Sequence, residues 1–127
     1  MSYRLNHIHL VCRELQQMID FFTENFGATL ITMKKFGGAD GASLDLSGTT
    51  INLRVLQEGE KMIDGSSGKT YGYHHIGIDV EDVDTEYKKL SDKGYVFSKP
   101  PKDTETLRVA FFDGPENVTI ELLQAKG

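Results

Sequence analysis

The chain has 127 residues, with 14 Lys and Arg against 19 Asp and Glu, a formal net charge of −5, and Cys12 as its single cysteine. That length suits one domain with a core of its own, and an acidic balance without a basic cluster argues against a nucleic-acid or anionic-membrane surface. One cysteine excludes an intrachain disulfide and a cysteine-built zinc site, and no apolar run resembles a signal peptide or approaches the ~20 residues of a membrane helix, so a cytoplasmic protein is expected.

Residues 5–12 alternate, with Ile8, Leu10 and Cys12 on one parity and His7, His9 and Val11 on the other, which is the pattern of a strand. Leu15, Met18, Ile19, Phe22 and Phe26 then recur at helical spacing, and Gly27 stands where such a helix stops. Short strands are expected over 29–35, 42–47 and 50–56, with turns at Gly37-Gly38 and Ser47-Gly48. Residues 57–72 carry four glycines among few apolar side chains and read as a connector that can act as a flap.

The order then repeats. Residues 73–80 read as a strand; Val83, Tyr87 and Leu90 form a helical stripe, with Asp82 as N-cap and Gly94 as stop. Strands are expected over 95–98, 107–113 and 118–124, separated by breaks at Pro100-Pro101 and Gly114-Pro115. Leu5-Asn6-His7-Ile8 matches Tyr73-His74-His75-Ile76 at a shift of 68 residues, and Ile51-Asn52-Leu53 matches Ile120-Glu121-Leu122 at 69. Self-similarity at one fixed offset implies two βαβββ copies: module 1 over 1–57, a connector over 58–72, and module 2 over 73–127. The expected fold is α+β, with the modules forming a curved, cup-like mixed sheet.

Strand parity selects the candidate site. With Ile8 and Leu10 packed on a helix, His7 and His9 fall on the other face. The same reading puts Asn52 and Arg54 opposite Ile51 and Leu53, His75 opposite Ile76, Glu121 opposite Ile120 and Leu122, and Asp45 opposite Leu44 and Leu46. On one shared curved sheet His7, Asn52, His75 and Glu121 would converge. A solvated sheet face is usually rich in Lys, Glu and Thr, whereas two His, an Asn and a Glu at repeat-equivalent positions are types that bind metals.

Leu5-Asn6-His7-Ile8, Tyr73-His74-His75-Ile76-Gly77-Ile78-Asp79-Val80 and Thr119-Ile120-Glu121-Leu122-Leu123 resemble the vicinal oxygen chelate superfamily over essentially the whole chain. That superfamily includes glyoxalase I, methylmalonyl-CoA epimerase, extradiol dioxygenases, fosfomycin-resistance enzymes and bleomycin-binding proteins. The resemblance implies one divalent metal ion (Ni, Co, Zn, Mn or Fe) held by His7, Asn52, His75 and Glu121. Asn52 departs from the usual Glu or Gln by being one methylene shorter. The stretch from Tyr73 to Asp84 is similar to the epimerase branch, in which Asp45 falls near a carboxylate proposed as a base. Val11 occupies the neighbourhood where the glyoxalase I branch carries an Arg that helps hold glutathione.

The implied activity is that of a metal-dependent isomerase or lyase acting through an enediolate on a small α-carbonyl substrate, like methylmalonyl-CoA epimerase or lactoylglutathione lyase. A Lewis-acidic ion and a carboxylate base together make the α-proton removable. Glu121 or Asp45 is the candidate base. His9, on the face of His7, either moves protons or bonds a neighbour. Arg54 and Arg108 either hold a substrate anion or are ordinary sheet residues. The alternatives are an extradiol dioxygenase or fosfomycin-type thiol transferase with the same His/His/Glu set, or a non-catalytic small-molecule-binding protein. The resemblance also implies a homodimer; no nucleic-acid or membrane partner is expected.

Overall fold

A computed structural model describes residues 2–61 and 72–126, and the chain divides into two compact units, residues 1–63 and 64–127. The greater part of the connector expected over 58–72 therefore lies outside the described residues.

In unit 1, β1 (His7–Val11) leads to α1 (Leu15–Phe26), followed by β2 (Thr29–Phe36), β3 (Ala39–Leu46) and β4 (Thr49–Arg54). The strands form one mixed sheet in the order β1-β4-β3-β2, with β1 parallel to β4 and the other pairs antiparallel. α1 turns Met18, Ile19, Phe21 and Phe22 inward, and β3 and β4 answer with Ala42, Leu44, Ile51 and Leu53, all buried. The helix ends at Phe26 because Gly27, the next residue, is left-handed, φ +71°; Ala28 N–H then donates to Phe22 O at 3.2 Å.

Unit 2 repeats the plan with β5 (Ile76–Asp79), α2 (Val83–Asp92), β6 (Phe97–Asp103), β7 (Leu107–Asp113) and β8 (Thr119–Ala125). Its sheet order is β5-β8-β7-β6, again with one parallel pair, β5 with β8. The core is built from Val83, Leu90, Ala110, Phe112, Ile120 and Leu122. Asp82 caps α2 by accepting from Thr85 N–H at 3.1 Å, and Val83 N–H donates to Gln124 Oε1 of β8 at 2.8 Å, which ties the helix start to the sheet. The fold is thus α+β with two βαβββ modules. No helix among the described residues is long and apolar enough to cross a membrane.

Most strand ends differ from expectation by one or two residues, and three differ by more. β6 runs through Pro100-Pro101 rather than stopping before them. It is the sheet's edge strand, so a missing N–H costs no ladder bond on the open side, and its register with β7 slips between Phe97, Lys99 and Lys102 to absorb the ring pair. β5 begins only at Ile76, which leaves His74 and His75 just ahead of the strand. β3 starts at Ala39, three residues early, because Ala39, Asp40 and Gly41 pair with Phe36, Lys35 and Lys34 of β2; Gly41 sits under the Phe36 ring and against Leu53 O, where no side chain fits.

Candidate functional site

The register of the two sheets makes the repeat specific. In unit 1 one row runs His9 (β1), Asn52 (β4), Ser43 (β3) and Thr32 (β2); in unit 2 the corresponding row runs Gly77 (β5), Glu121 (β8), Phe111 (β7) and Lys99 (β6). Asn52 and Glu121 therefore hold the same place in their modules, as do His7 and His75.

In unit 2, His75 Nε2 and Glu121 Oε1 are 3.0 Å apart, with the two side chains 30% and 16% exposed. Gly77 keeps space beside the carboxylate: a Cβ there would come within 3.1 Å of Leu123 Cδ1 and 3.9 Å of Glu121 Oε1. The Phe111 ring meets His75 edge-on at 5.2 Å, and Lys99 Nζ lies 5.2 Å from the centroid of that same ring. On the far side of the imidazole, His74 Nδ1 is 2.7 Å from His75 Nδ1. A neutral imidazole facing a carboxylate through Nε2 donates there, so its Nδ1 accepts from the His74 Nδ1–H.

In unit 1, His7 Nδ1 donates to Asn6 Oδ1 at 2.8 Å, which leaves its lone pair on Nε2. Asn52 is buried, and its Oδ1 accepts from Ser43 Oγ at 2.5 Å. His9 stands edge-on to Phe36 at 4.7 Å and 6.3 Å from His7. Burial, helped by the Arg54 and His7 charges, moves its pKa below the ordinary histidine value and favours the neutral ring.

The remaining candidates have other partners. Arg54 forms a two-bonded pair with Glu60, Nη1 to Oε1 at 2.6 Å and Nη2 to Oε2 at 2.9 Å, while Gln57 N–H also donates to Glu60 Oε1 at 2.6 Å. These hydrogen bonds hold the Glu60 carboxyl down at about 2, the Arg54 guanidinium being the largest cause. Arg54 thus fastens the segment after β4 rather than presenting a free cation. Arg108 shares the parity of Ala110 and Phe112, the side that packs on α2, and donates to Asp84 of α2 at 2.7 and 3.0 Å and to Asp103 at 3.0 Å. It lies on the opposite face of its sheet from Glu121, where it makes a strand-to-helix ion pair. Asp45 Oδ2 accepts from Gly48 N–H at 3.4 Å in the turn between β3 and β4. Cys12 is buried, with Sγ 3.6 Å from Arg54 O.

Two donors each about 2.1 Å from one ion and at right angles to each other are about 3.0 Å apart. The His75–Glu121 separation of 3.0 Å meets that requirement, and the imidazole and carboxylate suit a borderline or hard divalent ion. Among the described residues no group of three His, Cys, Asp or Glu side chains is gathered around one point. Sequence reasoning missed Asn6, His74, Ser43 and Phe111 as neighbours of the site. For Asn6 and His74 the signal was present, since they share the 68-residue offset of the histidines that follow them.

Paired βαβββ modules, with a His and an oxygen donor at equivalent positions of each, define a class of duplicated α+β folds. The profile of the Glyoxalase/Bleomycin resistance protein/Dioxygenase superfamily matches residues 4–122, and the chain belongs to that superfamily. It is 27% identical to a lactoylglutathione lyase of Schizosaccharomyces pombe over 96% of this chain and 47% of that protein, and 24% identical to glyoxalase I of Saccharomyces cerevisiae over 94% and 44%. The chain thus spans about half the length of the curated relatives it matches. Among solved structures, a glyoxalase family protein from Bacillus cereus superposes with a TM-score of 0.85 at 19% identity, covering 100% of this chain and 97% of that one. A variant of the fosfomycin resistance protein from Listeria monocytogenes, complexed with Mn(II) and a dihydroxypropylphosphonic acid, gives 0.75 at 22% identity over 99% and 95%.

Proposed function

We propose that this protein is a divalent-metal-dependent lyase or isomerase that moves a proton next to a carbonyl in a small substrate bearing two adjacent oxygens. The observation that carries the reading is the facing of His75 Nε2 and Glu121 Oε1 at 3.0 Å, beside Gly77, whose missing side chain leaves space next to the carboxylate. His75 and Glu121 are the donors proposed for the metal in unit 2, and His7 and Asn52 hold the equivalent positions of unit 1. Mn(II) in the fosfomycin-resistance relative and the lyase relatives support metal dependence and the reaction class.

When bound, such an ion would polarise a carbonyl oxygen and make the proton on the neighbouring carbon removable. The chain's own part is acid–base and positional. Glu121 accepts the substrate proton at a carboxylate oxygen and returns it at the product carbon. Phe111 fixes the plane of His75 from one side. Ser43 holds the Asn52 amide with its oxygen oriented, and His9, kept neutral, is able to accept or donate one hydrogen bond to substrate. A homodimer is part of this reading, and the edge strand β2 exposes Leu30, Ile31 and Met33, 42%, 57% and 52% accessible, for such pairing.

The test combines metal analysis with solvent deuterium exchange. The methylglyoxal–glutathione hemithioacetal and methylmalonyl-CoA are offered to the protein loaded with each divalent ion in turn. Metal retention with exchange at the α-carbon, lost in His75→Ala while the fold persists, supports the reading. A protein that retains no metal and exchanges neither substrate overturns it.

A further inference from the structure

The residue before each proposed metal-binding histidine reaches back to that histidine's Nδ1: Asn6 Oδ1 at 2.8 Å from His7, and His74 Nδ1 at 2.7 Å from His75. Asn6 and His74 are 68 residues apart, as are His7 and His75, so the contact occurs once in each module at equivalent positions. We infer that Asn6 and His74 are positioning residues that set which ring nitrogen of His7 and His75 is free to take a divalent cation. This rests on the metal-binding reading above.

A neutral imidazole carries one N–H, and the partner on one nitrogen decides which tautomer the other nitrogen presents. Asn6 Oδ1 only accepts, so His7 keeps its hydrogen on Nδ1 and its lone pair on Nε2 whether or not an ion is present. His74 differs because its Nδ1 either donates or accepts. With Nε2 donating to Glu121, His75 accepts at Nδ1 from His74. For Nε2 to offer its lone pair to a cation, the hydrogen moves to Nδ1 and His74 Nδ1 becomes the acceptor. The pair stays neutral, and the hydrogen displaced from His74 Nδ1 goes to its Nε2 on an exposed ring. His7 is therefore a preset ligand. His75 is a two-way ligand, held by Glu121 without an ion and able to turn its lone pair outward without orphaning Nδ1. Phe111 already restrains rotation of the His75 ring, so the contribution left to His74 is the tautomer.

The inference has one readout that needs no metal and one that does. In metal-free protein near pH 8, long-range proton–nitrogen NMR of the imidazoles is expected to show Nδ1–H on His7 and Nε2–H on His75. In Asn6→Leu, His7 passes to a mixture of tautomers, and in Asn6→Asp it stays Nδ1–H. Adding Zn²⁺ converts His75 to Nδ1–H. Zn²⁺ affinity, measured by chelator competition, falls about 10- to 100-fold in Asn6→Leu and in His74→Phe. It returns to within about threefold of wild type in Asn6→Asp and His74→Asn, which restore an acceptor. Both positions are exposed, so circular dichroism should show all four variants folded. The inference is overturned if His7 is Nε2–H in wild type, if Asn6→Leu leaves its tautomer unchanged, or if the conservative variants lose as much affinity as the apolar ones. Wild type binding no Zn²⁺ would remove the metal reading, and the tautomers of the metal-free protein would still decide the inference.

Discussion

Replacing Glu121 with Ala separates a metal ligand from a structural ion pair. The pair is partly exposed, His75 30% and Glu121 16%, so breaking it in the absence of metal should cost no more than about 1 kcal/mol. With metal the effect is larger and of different origin. At a free Mn²⁺ concentration 100 times the wild-type dissociation constant, binding to the native state alone stabilises it by about 2.7 kcal/mol. Losing one charged ligand weakens binding by at least about 100-fold, since even partners one bond removed from the metal cost 10- to 100-fold. The variant at the same Mn²⁺ concentration then gains only about 0.4 kcal/mol. For a chain of 127 residues the wild-type gain corresponds to a rise of roughly 10 °C in Tm, and the variant's to roughly 1–2 °C. The assay is thermal unfolding in excess chelator and again at fixed free Mn²⁺. Equal metal-induced shifts in the two proteins, or a large loss of Tm by the variant in chelator, would refute the assignment of Glu121 as a ligand.

Further expectations follow from the same contacts. The Glu60 carboxyl is held at about 2, below its unfolded value of 4.5, so its contribution is complete above about pH 5 and disappears as pH falls toward 2; acid titration followed by circular dichroism should show a shallower stability loss over that window in Glu60→Gln than in wild type. Gly41→Ala would drive a methyl into Phe36, whose nearest ring carbon would be 2.5 Å away, and against Leu53 O. A loss of about 1–3 kcal/mol in urea unfolding is expected, along with displacement of the His9 ring signals. Ser43→Ala removes the donor to buried Asn52 Oδ1 and should cost about 1–3 kcal/mol, whereas Ser43→Thr, which keeps the hydroxyl, should cost less. Arg108→Gln should lower stability slightly through the lost bonds to Asp84 and Asp103 while leaving metal affinity unchanged, as equilibrium dialysis would show.

The two helices, the N-cap at Asp82 and the duplication were legible because each follows from local chemistry repeated at a fixed offset. The His7/His9 face of β1 was legible for a related reason: both histidines fall on one parity of that strand, opposite Ile8, Leu10 and Cys12. β7 defeats the same reasoning. Leu107, Val109 and Phe111 on one parity and Ala110 and Phe112 on the other are both apolar, so nothing in the sequence tells which side Arg108 takes. Packing against α2 decides it, and Asp84, 24 residues away in sequence, supplies the partner. The Arg54–Glu60 pair was hidden because it depends on how the chain turns after β4, where Gln57 N–H and Glu60 close on each other. The extent of β6 was misjudged because prolines mark a break only when the strand has neighbours on both sides.

The register also explains why the modules, equivalent in plan, differ in chemistry. Each places an oxygen donor on its fourth strand, Asn52 or Glu121, flanked by the residues of the adjoining strands in the same row. In unit 1 those flanks are His9 and Ser43, and Ser43 donates to the amide oxygen, so the oxygen donor there is neutral, buried and already bonded once. In unit 2 the flanks are Gly77 and Phe111, neither of which has a side-chain donor, so the carboxylate is left to face His75. A charged group bound by one half-buried histidine is easier to release to an incoming ion than one satisfied by several donors. The same substitution pattern therefore concentrates the exchangeable charge in unit 2. The double variant Ser43→Phe with Asn52→Glu, which copies the unit 2 row into unit 1, should then raise metal uptake, and unchanged metal content in that variant would count against this account of the asymmetry.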